Sequence, residues 1–246
     1  IPEYRLPKDT LDAEINLIEK MGVEIKYNTR FGTDVTNESL KQEGFEAIFL
    51  GIGSQVGQPM GCDGEECTLG VYAGVDFLGR VGLEEKINYA GKKVIVVGGG
   101  NTAVDAARTS LRLGADQVKI AYRRTKKEMP AHEMEIEEAE YEGVELDLLI
   151  APQKLTRNAE GKIEIEFIKM ELGEPDASGR RRPEPVKGSE YIEYADYVIA
   201  AIGQTQDLSF INDSFKLAAD KNKIKVNTDL MTTNLDGVFA GGDVVT

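Results

Sequence analysis

Three observations predict an α/β fold built on parallel strands. Lys93-Val-Ile-Val-Val97 is a continuous apolar run, the pattern of a strand buried on both faces, and it feeds straight into Gly98-Gly99-Gly100. The same design, an apolar run ending in glycine, recurs at residues 45–53, 194–203 and 235–242. Stretches with helical spacing of apolar residues lie between these runs. Together they predict a Rossmann-like three-layer α/β domain.

Taken in order, Ile1-Pro-Glu-Tyr-Arg-Leu-Pro-Lys8 is irregular. Asp9 suits an N-cap for a helix with apolar positions Leu11, Ile15 and Ile18, closed by Gly22. Residues 23–27 read as a strand, and 45–53 as a buried strand ending in glycines. Residues 54–70 form a Gly- and acid-rich loop, and 71–81 read as a helix.

The central unit follows. Gly98-x-Gly100-x-x-Ala103 opens a helix over residues 104–113. Gly98 permits a tight turn, Gly100 lets a diphosphate approach the backbone, and Ala103 lets the helix pack closely on the sheet. The helix N-terminus adds free amides and a positive dipole end. Gly114 stops that helix, and Gln117-Val-Lys-Ile-Ala-Tyr122 is the next strand. A site for NAD places an acid there, about 20 residues beyond the turn, to hold the ribose 2′-hydroxyl. This chain instead has Arg123 and Arg124, then Lys126 and Lys127, with no acid before Glu128. Guanidinium forks suit a 2′-phosphate, so the spacing predicts NADP(H). The alternative is a solvated basic loop, against which stands the net charge of -14.

Residues 129–140 read as an exposed acidic helix that carries His132, 144–150 as a strand, and 163–172 as an antiparallel strand whose phase slips at Phe167-Ile168. The run Arg180-Arg181-Arg182 is expected to be a solvated hairpin tip rather than an anion site. After the strand at 194–203, the chain ends in Gly241-Gly242-Asp243-Val-Val-Thr246. A strand followed by Gly-Gly-Asp sets a carboxylate where such sheets bind ligands, and in a flavin site it would accept from a ribityl hydroxyl.

Composition narrows the chemistry. Net charge -14 argues against nucleic-acid or anionic-membrane partners, and no apolar run is long enough to span a bilayer. Two cysteines, Cys62 and Cys67, are too few for a disulfide-stapled fold or for an iron–sulfur cluster ligated within the chain, so a soluble, cytoplasmic protein is expected. With His132 the one histidine, zinc and Ser/His/Asp schemes fall away, no catalytic residue and no metal ligand is named, and a cofactor is expected to carry the reaction.

At this point the chain resembles a known family. Ile1-Pro-Glu-Tyr-Arg-Leu-Pro7, residues 98–108, Tyr122-Arg-Arg-Thr-Lys-Lys-Glu-Met-Pro-Ala131, residues 170–179, 198–204 and Gly241-Gly-Asp-Val244 match, in order, the small (beta) subunit of NADPH-dependent glutamate synthase and its flavoprotein relatives. The resemblance implies that residues 1–80 and 204–246 are two parts of a truncated FAD-binding domain, with an NADPH domain at 81–203 between them. It implies that hydride passes from NADPH to FAD, and electrons then pass singly through iron–sulfur clusters to a partner such as a large catalytic subunit. By position, Gly98, Gly99, Gly100, Asn101, Thr102 and Ala103 would hold the NADPH diphosphate, and Arg123 and Arg124 the 2′-phosphate. Gly203 would lie by the nicotinamide, Gly242 and Asp243 by the FAD, and Ile1-Pro2 near the flavin ring. The family's FAD glycine fingerprint and cluster-binding cysteines have no counterpart in this stretch. A fragment is therefore expected, one that binds NADPH and little or no flavin and is inactive alone, from a parent that is a flavoenzyme.

Three other readings stand beside this one. Cys62 and Cys67 have the spacing of a flavin disulfide reductase, but acidic neighbours raise a thiol pKa, the wrong direction for an attacking thiolate. A free-standing NADP dehydrogenase needs an acid or base for which Tyr122, Tyr141 and Tyr191 offer no spacing. A non-catalytic NADP-binding or electron-transfer scaffold is the third.

Overall fold

The computed structural model describes residues 1–175 and 179–246. In chain order the elements begin with α1 (Lys8–Lys20), α2 (Asn37–Gln42), β1 (Ile48–Leu50), β2 (Val56–Gly57), β3 (Val71–Ala73), α3 (Gly74–Gly82), β4 (Lys93–Val97) and α4 (Asn101–Arg112). Next come β5 (Gln117–Tyr122), α5 (Glu133–Tyr141), β6 (Glu145–Leu148), β7 (Ile150–Arg157), β8 (Ile163–Pro175), β9 (Arg181–Pro185), β10 (Tyr191–Ala195) and β11 (Tyr197–Ala200). Four short strands complete the chain: β12 (Gln204–Thr205), β13 (Ala219–Asp220), β14 (Lys223–Ile224) and β15 (Val238–Ala240).

Two compact units compose the molecule. The first comprises Ile1–Pro7 and Gly57–Gly203, the second Lys8–Val56 and Gln204–Thr246. Residues 57–80, grouped with the N-terminal part on sequence, thus supply β3 and α3 to the first unit. There β3 pairs with β11 in parallel, and Phe77 of α3 is fully buried.

The first unit has three layers. Its centre is a five-stranded parallel sheet in the order β3-β11-β4-β5-β6. Because side chains alternate across a strand, β4 serves two cores at once. Val94 and Val96 face α3, α4 and α5 with Phe77, Val104, Ile120 and Ile136. Ile95 and Val97 face the other way, against Ile163, Ile165 and Phe167 of β8 in a four-stranded antiparallel sheet. Burial on both faces explains the unbroken apolar reading of β4.

Several local expectations are corrected. Residues 23–27 form no strand, and α1 begins at Lys8 with Asp9 in its first turn rather than as its cap. No residue of α1 is buried, so Leu11 and Ile18 do not anchor a core. The strand within 45–53 is limited to β1, where Phe49 is exposed. Residues 71–81 are strand then helix, since β3 precedes α3. The helix expected from 104 begins at Asn101, with Gly100 as its cap. His132 caps the acidic helix rather than lying within it. The strand expected at 144–150 breaks at Leu149, whose φ is +57°. The run at 194–203 is divided at Asp196, whose carboxylate accepts from the Lys93 amide at 2.9 Å and from Lys162 Nζ at 2.8 Å. The phase slip has its counterpart across the ladder: β7 is irregular between Pro152 and Lys154, opposite Phe167 and Glu166.

The second unit is built on β1 paired in parallel with β15, Ile48 opposite Val238. Leu50, Phe215, Leu217, Ile224 and Val238 fill its core, and Phe31 meets Phe210 and Phe215 edge-on. A tight hairpin joins β13 and β14 through Lys221 and Asn222, with φ of +48° and +64°.

Candidate dinucleotide site

Parallel strands β4, β5 and β11 end side by side, and a cavity of about 500 Å³ lies beyond those ends in the first unit. Gly98, Gly99, Gly100 and Thr102 line it from the turn after β4, Arg123 and Arg124 from the loop after β5, and Ala201 to Gly203 from the segment after β11.

The three glycines of the turn have different reasons. Gly98 sits at φ +145°, and a Cβ there would lie 2.1 Å from the Ala201 carbonyl oxygen. A Cβ on Gly99 would meet the Tyr122 ring at 2.6 Å. A Cβ on Gly100 would touch only Pro130 Cγ, at 3.8 Å, and would otherwise stand in the cavity. Packing therefore requires the first two glycines, while the third keeps room free for a ligand. Gly100 caps α4 with no side-chain hydrogen bond, and the first turn of α4 carries no acid. Its leading amides are thus without a side-chain cap at the cavity edge. Ala103 is fully buried, as close packing of α4 on the sheet demands.

The loop after β5 is fastened to this turn. Ala131 donates its amide to the Gly99 carbonyl at 3.1 Å, and the Asn101 side chain accepts from the His132 amide at 3.1 Å. The Tyr122 hydroxyl donates to the Glu128 carbonyl at 2.7 Å. Asn101 thereby holds the loop, and it does not itself line the cavity. Arg123 is exposed at the cavity, whereas Arg124 is buried and donates from Nε to the Arg181 carbonyl at 2.7 Å. Lys126 turns away to Glu140 of α5 at 2.5 Å. Gly203, at φ +148°, accepts from the Gln58 amide at 3.0 Å.

The structure also brings in residues that the sequence reading missed. Arg180, expected in a solvated tip, lines the cavity, as do Gln58 and Pro130. The signal for Arg180 was present: a cationic run in a chain of net charge -14, the same argument that singled out Arg123 and Arg124.

In the second unit, Gly242 has φ +76° and Asp243 is exposed just beyond β15. The Asp243 carbonyl accepts from Gln206 Nε2 at 2.5 Å and Ser54 Oγ at 3.3 Å. Its carboxylate has no hydrogen-bond or ion-pair partner among the described residues. Cys62 and Cys67 are both free thiols, and burial, then Glu65, pushes Cys62 up to about 11.

The family model for pyridine nucleotide-disulphide oxidoreductases matches residues 6–246. The chain belongs to that family. It is similar to the NADPH-Fe(3+) oxidoreductase subunit beta of Geobacter sulfurreducens, with 43% identity over 267 residues, covering 99% of this chain and 39% of the relative. It is similar to the NADP(+)-dependent formate dehydrogenase subunit beta of Moorella thermoacetica, at 44% identity and 34% of the relative's length. It is also similar to the glutamate synthase [NADPH] small chain of Escherichia coli, at 36% identity, covering the whole of this chain and 55% of that one. The chain spans from about a third to about half of the length of these curated relatives. Among solved structures, FprA from Mycobacterium tuberculosis in complex with NADPH superposes with a TM-score of 0.75 at 18% identity, over 97% of this chain and 67% of that one, which shows a shared fold. Among the described residues no helix is long and apolar enough to cross a membrane.

Proposed function

We propose that the chain is the NADPH-binding portion of a flavin-dependent oxidoreductase of the glutamate synthase small-subunit type. The observation that carries this reading is the meeting of the Gly98–Gly100 turn with Arg123 at one cavity beyond the strand ends. The names of the relatives, NADPH-linked oxidoreductase subunits, support the same cofactor.

The residues fit the dinucleotide. Gly100 leaves a cradle that a Cβ would fill, and the uncapped first turn of α4 offers amides to a diphosphate. Arg123 offers a planar fork to the 2′-phosphate at the adenosine end. Gly203 lines the same cavity beside Gln58, and by position it would lie next to the nicotinamide. Bound NADPH would supply a hydride and FAD would accept it, which asks no acid–base side chain of the chain itself. For the flavin, the unpaired Asp243 carboxylate beyond β15 is an acceptor suited to a ribityl hydroxyl. In the longer parent, electrons pass to an iron–sulfur acceptor or a large partner subunit. The relatives' subunit names support a multi-subunit assembly, and a soluble, cytoplasmic setting suits it.

Titration of NADPH against NADH tests the reading, on wild type and on Arg123→Ala/Arg124→Ala. The expected result is an NADPH preference that collapses in the double variant, since each charged hydrogen bond contributes about 1.5–3 kcal/mol. Equal binding of both nucleotides by wild type would end the NADP assignment. Flavin absorbance after reconstitution with FAD separates a flavoenzyme module from a plain nucleotide-binding scaffold.

A further inference from the structure

The hairpin of β8 and β9 reaches the same cavity through Arg180. Arg181 stands opposite Pro175 at the start of β9, and its Nε donates to the Gly173 carbonyl at 2.9 Å, with a second contact to the Leu172 carbonyl. From the other side, Arg124 Nε holds the Arg181 carbonyl at 2.7 Å. The residue just before this doubly fastened point is Arg180, which is half-buried and lines the cavity together with Arg123 and Arg124. Arg182 is exposed and lies outside the cavity.

The charge around the cavity differs from that of the whole chain. Of the described residues that line it, three are arginines and none is Asp or Glu. The chain as a whole has 43 acids against 29 Lys and Arg. Three arginines lining one cavity with no acid among its described lining residues suit an anionic ligand there.

We propose that Arg180 is a specificity-determining residue of this site: delivered by the β8–β9 hairpin, it joins Arg123 on the adenosine-ribose phosphate. Arg124 then has a positioning part, since its Nε is spent on the hairpin backbone that carries Arg180. The inference rests on the NADP reading and deepens it. It makes nucleotide selectivity a property of two elements, the loop after β5 and the antiparallel hairpin, rather than of the strand end alone.

Binding of NADPH, NADH, 2′,5′-ADP and 5′-ADP is to be measured on the chain and on Arg180→Ala, Arg180→Lys and Arg182→Ala. Arg180→Ala is expected to weaken NADPH and 2′,5′-ADP by about tenfold to a hundredfold while NADH and 5′-ADP stay within about twofold. Arg180→Lys recovers part of that loss, and Arg182→Ala, on the same hairpin, binds as wild type does. Wild-type preference for NADPH with no loss in Arg180→Ala overturns the role of Arg180 and leaves the NADP reading standing. Equal loss of all four nucleotides in Arg180→Ala overturns the assignment to the 2′-phosphate. A wild type indifferent to the 2′-phosphate overturns the NADP reading itself.

Discussion

Gly99 and Gly100 are neighbours with opposite obligations, and substitution separates them. In Gly99→Ala the new methyl meets the Tyr122 ring at 2.6 Å, so the ring or the turn must shift. In Gly100→Ala the methyl enters open space in the cavity. Gly99→Ala is therefore expected to lower the melting temperature, by overpacking of about 1–3 kcal/mol, together with nucleotide affinity. Gly100→Ala should melt as wild type does yet bind NADPH at least about tenfold more weakly, the difference of about 1.4 kcal/mol that a displaced phosphate contact represents. Paired thermal melts and titrations check both. At this scale the glycine spacing and Arg123 were legible in the sequence, because their signal is local. Arg180 stood out only as part of a cationic run, and that the run meets the cavity depends on the pairing of β8 with β9.

At the scale of elements, the outer face of α4 is tied to α5 and to the N-terminal segment by charge. Glu142 accepts from Arg112 at 2.6 and 2.9 Å and from Arg108 at 2.7 Å, and these two guanidinium groups stack on Tyr4. The Arg112 and Arg108 hydrogen bonds hold the Glu142 carboxyl down at about 2. With the folded value below the usual 4.5, this stabilisation is full above pH 4.5 and is lost as pH falls towards 2. Acid unfolding followed by circular dichroism should thus begin at higher pH, and from a lower plateau, in a Glu142→Gln variant. Arg5 makes a second tie, to Asp105 at 2.8 Å and Glu135 at 2.7 Å. Arg5→Ala leaves the buried Asp105 carboxylate without its cation and is expected to cost about 1–3 kcal/mol in urea unfolding. Of the elements, β4 and β5 were readable from apolar runs, whereas β3 and the division at Asp196 were not. Strand pairing and a buried carboxylate decide those, and neither leaves a periodic trace.

For the whole molecule, the opposition between an acidic chain and a cation-lined cavity has a measurable sign. Nucleotide binding should weaken as salt rises, more steeply for NADPH than for NADH, because screening acts on the added phosphate. Titrations between about 0.05 and 0.5 M salt test this, the Debye length falling well below 10 Å across the range. At this scale a two-part arrangement was legible only through the family resemblance. The membership of residues 1–7 and 57–80 in the first unit was not, since it depends on which sheet and helices they meet.

Tyr122 has one further consequence. Its ring closes off the space beside Gly99 while its hydroxyl grips the Glu128 carbonyl, so one residue joins the turn to the loop that carries Arg123. On the proposed reading, the glycine turn and the arginine loop are separate modules, riveted by this ring together with the Ala131–Gly99 and His132–Asn101 hydrogen bonds. If the proposed roles of Arg123 and Arg180 hold, exchanging residues 123–128 and Arg180 is expected to change cofactor preference, with Tyr122 the part that such a graft keeps.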